Sequence, residues 1–270
     1  MQVCLVTGSS RGFGHRVCRH LAANGHRVYA SMRDVHGAGA DLADTCELVE
    51  LDVTDGQAAA LAVQRIVDCE GRIDAVVNNA GYALWGPVEE TPIEAIQREF
   101  DVNVFGALRV VHAAVPIMRR QRSGVVVQIS SISGKVVAGP FWGHYAASKF
   151  ALEAFSEALA YELRPFGVRV VLVEPGSYDT TIGESIQLSP GLAEGNSAYT
   201  DTYRRMRQVD EPWPLGNPDE VAKAVVRAIE DHSTPLRVLL GEDAAWYIQA
   251  KRNGDEAYRQ QIWQLWQLPD

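Results

Sequence analysis

Tyr145 and Lys149 stand four residues apart in Tyr145-Ala146-Ala147-Ser148-Lys149. On a helix that spacing puts them on one face with Cβ atoms about 5–6 Å apart, so the ammonium can sit beneath the phenol. A unit charge about 4 Å from the developing phenolate is worth roughly 4 kcal/mol at an effective dielectric near 20, enough to draw a tyrosine pKa from about 10 towards about 7. Such a tyrosine exchanges a proton with an alcohol or a ketone at neutral pH. The hydroxyl-rich run Ser130-Ser131-Ile132-Ser133-Gly134 lies shortly upstream. A Tyr-x-x-x-Lys pair alone is equally at home on an ordinary amphipathic helix, so its meaning depends on what the other elements bring to it.

The first of these is at the N-terminus. Val3–Val6 reads as a strand buried on both faces, followed by Thr7-Gly8-Ser9-Ser10-Arg11-Gly12-Phe13-Gly14 and a helical pattern ending near Asn24-Gly25. A glycine-rich strand-to-helix turn lets backbone N–H groups and the positive helix end approach a diphosphate. The spacing is G-x-x-x-G-x-G, not the commoner G-x-G-x-x-G. A second strand at 27–31 leads into Met32-Arg33-Asp34, where a dinucleotide fold meets the adenosine ribose. Arg33, with Arg11, suits the 2′-phosphate of NADP, whereas Asp34 suits the free hydroxyl of NAD if it turns inward. NADP is favoured and NAD stays open.

Further short apolar runs at 48–51, 74–77, 125–129, 168–173 and Arg237–Leu240 alternate with helical patterns at 57–69, from Thr91-Pro92-Ile93-Glu94 through Met118, and at 145–163. The expected fold is a Rossmann-type α/β domain over 1–270, a doubly wound parallel sheet of about seven strands with helices on both faces. Residues 177–216 lack a sustained period and read as a lid, and 243–268 reads as a helical tail. Trp85, Phe141 and Trp142 are candidates for an apolar substrate wall. The chain has 270 residues, 47% of them hydrophobic, and a net charge of −9 without a basic block, which argues against nucleic acid or an anionic membrane as partner. Cys4, Cys18, Cys46 and Cys69 show no metal-ligand spacing, so no metal is expected and a reducing compartment is. The strand expected from residue 3 leaves no place for a signal peptide, and no apolar run reaches the roughly 18 residues that a membrane span needs; the expectation is a cytoplasmic protein.

In this order the motifs resemble the short-chain dehydrogenase/reductase family. Thr7 to Gly14 is similar to its cofactor turn, Asp52-Val53 to its adenine-side pair, and Asn78-Asn79-Ala80-Gly81 to its Asn-Asn-Ala-Gly motif. Asn103, Ser131, Tyr145 and Lys149 resemble its catalytic set, and Pro175-Gly176 with Thr180 its nicotinamide segment. The Ser-x-x-Gly pattern selects Ser131, with Ser133 as the alternative because the stretch from Ser131 to Tyr145 is one residue long for the family. The neighbourhoods of Tyr145, Tyr29 and Leu240 resemble the branch of 17β-hydroxysteroid and retinol dehydrogenases and bacterial ketoreductases. The resemblance implies that Lys149 also binds the nicotinamide ribose, that Asn103 holds a relay water, and that the chain forms a homodimer or homotetramer. It implies an NADPH-dependent ketone reductase for a bulky apolar substrate. An NAD-dependent alcohol or hydroxysteroid dehydrogenase is the second reading and a silent cofactor-binding regulator the third.

Overall fold

The computed structural model describes residues 1–37, 39–179, 186–209 and 212–268. Runs of valine, leucine and isoleucine too short for helices form strands that alternate their side chains between two apolar layers. In β1 (Val3–Val6), Cys4 and Val6 face one layer while Val3 and Leu5 face the other. Beside it stand β2 (Arg27–Met32), β3 (Glu47–Glu50), β4 (Ala75–Asn78), β6 (Gly124–Ile129), β7 (Val168–Pro175) and β9 (Arg237–Leu240). They form one seven-stranded sheet in the order β3-β2-β1-β4-β6-β7-β9, with every neighbouring pair parallel. The order reverses between β1 and β4, which opens a crevice at the carboxyl ends of the strands.

Helices α1 (Gly12–Ala23) and α8 (Pro218–Glu230) pack against each other on one face. Helices α2 (Gly56–Glu70), α4 (Ala107–Gln121) and α5 (Gly143–Leu163) cover the other. The chain therefore has the doubly wound α/β architecture that its alternating pattern predicts.

Four local features depart from the reading of the sequence. The stretch expected as one long helix from Thr91 is α3 (Ile93–Phe100), a π-helical turn over Asp101–Gly106, and then α4. Pro92 is the residue before α3, with φ −56° and ψ 135°, and Thr91 donates its hydroxyl to the Pro87 carbonyl instead of capping the helix. Ile93–Gln121 as a whole is long and apolar enough to cross a membrane by length and composition, contrary to the expectation that no stretch would be. Its apolar stripe, including Val110, Val111, Ala114 and Met118, is buried against the sheet, as in the core helix of a globular fold.

The fourth departure concerns the C-terminal half, where the tail itself is helical as expected. Residues 177–216, expected to be irregular, contain β8 (Ile186–Leu188), α6 (Pro190–Glu194) and α7 (Thr200–Met206). Strand β8 pairs in parallel with β5 (Ala83–Trp85), which follows β4 directly. Three-residue strands carry too little periodicity to be recognised from one chain. The tail is two helices, α9 (Glu242–Arg252) and α10 (Asp255–Leu265), which form a third apolar cluster with α6, α7 and residues 132–142.

Gly8 has φ +67°, and a Cβ there would lie 2.8 Å from the Ala80 Cα. Left-handed backbone costs about 1–2 kcal/mol for other residues, and overpacking adds about 1–3 kcal/mol. Gly8→Ala is expected to lower unfolding free energy by at least about 2 kcal/mol, measured by urea denaturation.

Candidate active site

The glycine turn between β1 and α1 is held open by neighbours. Thr7 Oγ1 accepts hydrogen bonds from the Asn79 and Ala80 N–H groups, each at 3.0 Å, and Asn79 Nδ2 donates to the Thr7 and Gly8 carbonyls at 2.9 and 3.0 Å. The side chain of Asn79 thus props the turn. Gly14 is buried, and a Cβ there would lie 2.5 Å from the Gly8 carbonyl oxygen. Helix α1 starts with no side-chain cap and no acidic residue in its first turn, so its leading N–H groups point at a site suited to an anion. Ser10, Arg11, Gly12 and Phe13 occupy this turn, and Phe13 meets Tyr178 edge-on at 5.8 Å.

The adenosine end lies after β2 and β3. Asp52 Oδ1 accepts from the Thr54 N–H and hydroxyl at 2.9 and 2.8 Å, and these bonds, with the charges of Arg33 and Arg109, hold its carboxyl below the usual range. Val53 is buried under Gly106. Asp34 is turned into its own loop, where Oδ1 accepts from the His36 N–H at 2.9 Å. Arg33 is exposed. Gly81 approaches Asn103 Oδ1, Pro175 ends β7, and Gly176 after it borders the cavity described next; Thr180 lies outside the described residues. The turn, the uncapped helix and the close approaches fit a dinucleotide.

Between these ends, the strand β6 and helix α5 bring the candidate chemical groups together. Ser131 precedes a 3-10 turn at Ile132–Gly134, and its Oγ accepts from the Ser133 N–H at 3.1 Å. Of the two serines, Ser131 is the one that bears on the Tyr145 phenol, while Ser133 supplies its backbone amide to Ser131. Burial pushes the phenol up to about 12, against the pull of the Ser131 hydroxyl, and the Glu99 charge pushes the same way. This differs from the expectation that Lys149 brings the phenol towards neutrality. Lys149 Nζ donates to the Ile129 carbonyl at 2.9 Å and lies 5.7 Å from the phenol ring centroid. Its own pKa is lowered to about 8 by burial, with Glu99 and Glu153 pulling it back up.

Asn103 sits in the π-helical turn, where its Oδ1 accepts from the Tyr82 N–H at 3.0 Å. Its Nδ2 donates to the Tyr82 carbonyl and to Ser148 Oγ, at 2.9 and 3.1 Å. Both amide hydrogens are thereby used, so the side chain ties Tyr82, just before β5, to α5.

Ser131, Ser133, Tyr145, Gly176, Trp85 and Trp142 border one cavity of about 220 Å³. Phe141, also expected there, is not among its lining residues; it has φ +71° and packs edge-on against Tyr203 and Tyr199. Residues far along the chain complete the lining, among them Tyr178, Ile186, Leu215, Asp243 and Tyr247. No local motif announces them. Glu99, fully buried at the end of α3, was also missed, although a glutamate on the apolar face of a helix, four residues before Asn103, was a visible anomaly.

A family profile described as short chain dehydrogenase matches residues 2–190. The chain belongs to the short-chain dehydrogenase family. Among members of that family it is 33% identical over 242 residues to a 3-ketodihydrosphingosine reductase of Bacteroides thetaiotaomicron, covering 89% of this chain and 88% of the relative. It is 40% identical over 251 residues to estradiol 17-beta-dehydrogenase 1 of Rattus norvegicus, covering 87% and 72%. A short chain dehydrogenase from Burkholderia cenocepacia J2315, solved in complex with NADP, superposes with a TM-score of 0.78 at 29% identity over 97% of this chain and 99% of that one. The protein is therefore an oxidoreductase of the short-chain dehydrogenase type, and the branch anticipated from its motifs is represented among its relatives.

Glu99 Oε1 accepts from the Leu84 N–H at 2.7 Å and Oε2 is buried without a hydrogen-bond partner. Burial raises its pKa from 4.5 to about 7. The native state keeps a proton that the unfolded chain releases near 4.5, so this contribution to stability is fully present below 4.5 and is lost as pH rises from there to about 7, at roughly 1.4 kcal/mol per unit across that window. Glu99→Gln is expected to gain on the wild type between pH 5 and pH 8, read from urea midpoints at both values.

Proposed function

We propose that this short-chain dehydrogenase is an NADPH-dependent reductase of a ketone on a bulky, largely apolar molecule, acting reversibly on the corresponding secondary alcohol. The observation that carries the reading is the meeting of Ser131 and Tyr145 on the wall of one aromatic cavity that also borders Gly176. A phenol held up at about 12 keeps its proton at neutral pH, which is the form that an acid needs for reduction.

NADPH, when bound, supplies the hydride. The glycine turn and the head of α1 would bind its diphosphate, Asp52 and Val53 its adenine, and Ala80, Gly81, Pro175, Gly176 and Thr180 the nicotinamide half. Ser131 would hydrogen-bond the carbonyl oxygen and orient it, and Tyr145 would deliver the proton to that oxygen. Lys149 would hold the nicotinamide ribose and return a proton to Tyr145 after turnover. Asn103 would act by fixing Ser148 and Tyr82 around α5.

The choice of NADPH rests on Arg33, exposed beside Asp52, and on the Asp34 carboxylate being engaged with His36. The relative solved with NADP is consistent with it. For the substrate, Trp85 and Trp142 supply flat apolar surface, and the names of two relatives, a ketodihydrosphingosine reductase and an estradiol dehydrogenase, belong to enzymes of large apolar compounds. We read 1–270 as one functional unit with 177–216 as its lid, working in the cytoplasm as a homodimer or homotetramer. Phe105, Phe150, Phe155 and Tyr161, between 43% and 67% exposed on the π-helical turn and α5, are apolar surface available to a second copy.

Fluorescence titration is expected to give NADPH a Kd at least about tenfold below that of NADH, a gap near 1.4 kcal/mol, and Arg33→Ala is expected to erase it. Tighter NADH would favour the NAD-dependent reading, and binding of neither would favour a cofactor-independent role. Tyr145→Phe is expected to cut ketone reduction by about a thousandfold or more with NADPH affinity retained, as for loss of a proton donor. A variant with near-normal turnover would rule out Tyr145 as the acid.

A further inference from the structure

The loop between the candidate serine and tyrosine is fastened from outside at three carbonyls. Tyr258 donates its hydroxyl to the Val137 carbonyl at 2.9 Å, Trp266 donates its indole N–H to the Ala138 carbonyl at 2.7 Å, and the Gly86 N–H donates to the Phe141 carbonyl at 2.9 Å. Two of these three bonds come from α10 and the turn after it. Trp266 is only 3% exposed and meets the Trp142 ring edge-on at 5.3 Å between centroids. On its other side Trp142 leans on Trp85 at 5.2 Å, and both Trp85 and Trp142 border the cavity. Gly139 is pressed so closely that a Cβ there would lie 2.6 Å from Trp266 Nε1. Ala138, whose carbonyl Trp266 holds, itself lines the cavity.

This arrangement does more than fill a core. A buried indole N–H takes a hydrogen-bond partner wherever it is packed, but here the partner is the carbonyl of a cavity-lining residue, Ala138, and the edge contact to a second cavity-lining indole, Trp142, fixes ring orientation as well as position. Phe141 sits in left-handed backbone that a non-glycine residue keeps only where its surroundings hold it, and its own fastened carbonyl and the two before it do so. The tail's first helix reaches the opposite rim, where Asp243 Oδ2 accepts from the Ser177 N–H at 2.7 Å.

Resting on the reductase reading above, we propose that Trp266 is a positioning residue for substrate: by holding residues 136–142 and Trp142 in place it sets which carbonyl compounds the cleft accepts by size. A large fused-ring ketone reaches the indole wall and feels its position. A small ketone, bound at Ser131 and Tyr145, does not.

The test compares Trp266→Phe, which keeps an aromatic edge but removes the N–H, with the wild type on two probes, cyclohexanone and 2-decalone. Three readouts are taken: NADPH affinity, KM and kcat for each ketone, and equilibrium dialysis of each ketone against the protein with NADP+. The expected result is a KM and dissociation constant for 2-decalone raised at least fivefold, values for cyclohexanone and for NADPH within twofold, and kcat little changed. Tyr258→Phe is expected to shift 2-decalone in the same direction by less, and it carries the test if the Trp266 variant does not fold. Equal shifts for the two ketones, or none, overturn the inference and leave Trp266 a packing residue. A wild type that reduces neither ketone counts against the reductase reading, and the dialysis comparison still decides the role of Trp266.

Discussion

A buried ammonium is the constraint around which this molecule is built. Lys149 is 6% exposed, and an isolated cation taken out of water is expensive unless it is paired and hydrogen-bonded. The protein meets that requirement from three elements at once. Strand β6 offers the Ile129 carbonyl, α3 brings Glu99, and α5 brings Glu153 one turn beyond Lys149 itself. Glu153 is in turn bound to Arg237 of β9, which also contacts Glu174 of β7 and Glu157. Burial raises Glu174 to about 7, with the neighbouring Glu153 adding to the rise. The charge of one lysine is thus balanced through the carboxyl half of the sheet, and α5 cannot slide along β6 without exposing it.

The cofactor half of the site was legible in the sequence because it is built from consecutive residues. A strand, a glycine turn and a helix start follow one another between Val3 and Gly14, and each strand end carries its motif in line. The sheet itself was readable for the same reason, since each strand is a short run buried on both faces. The substrate half is assembled differently. Trp85, Trp142, Leu215, Asp243 and Tyr247 meet only because β5 pairs with β8 and the tail folds back over residues 132–142. Pairings of three residues and contacts over a hundred positions leave no periodic trace in a single chain. The break of the 93–121 stretch by a π-helical turn was equally hidden, yet that turn is what brings the Asn103 carboxamide to Tyr82 and Ser148.

The expectation for Tyr145 erred for an instructive reason. Spacing on a helix places two side chains on one face, but it does not say where the charged end is tied. Lys149 spends a hydrogen bond on Ile129 and lies 5.7 Å from the phenol ring centroid, and burial of the phenol dominates. The Ser131 hydroxyl is the remaining influence that favours the phenolate. Filling the cleft with polar and charged groups changes that balance, so the proton affinity of Tyr145 belongs to the state of the cleft and is not a fixed property of the residue.

The pairing of Ala83–Trp85 with Ile186–Leu188 has a mechanical consequence. Segment 186–188 is joined to β5 by ladder hydrogen bonds, and Ser189 adds a further bond from its N–H to the Trp85 carbonyl at 2.8 Å. The roof of the cleft and the strand that carries Trp85 therefore form one ribbon. Any opening that separates them breaks several hydrogen bonds together, whereas tilting the ribbon as a body keeps them. A displacement of segment 186–188 is therefore handed on to the stretch immediately after Asn79-Ala80-Gly81.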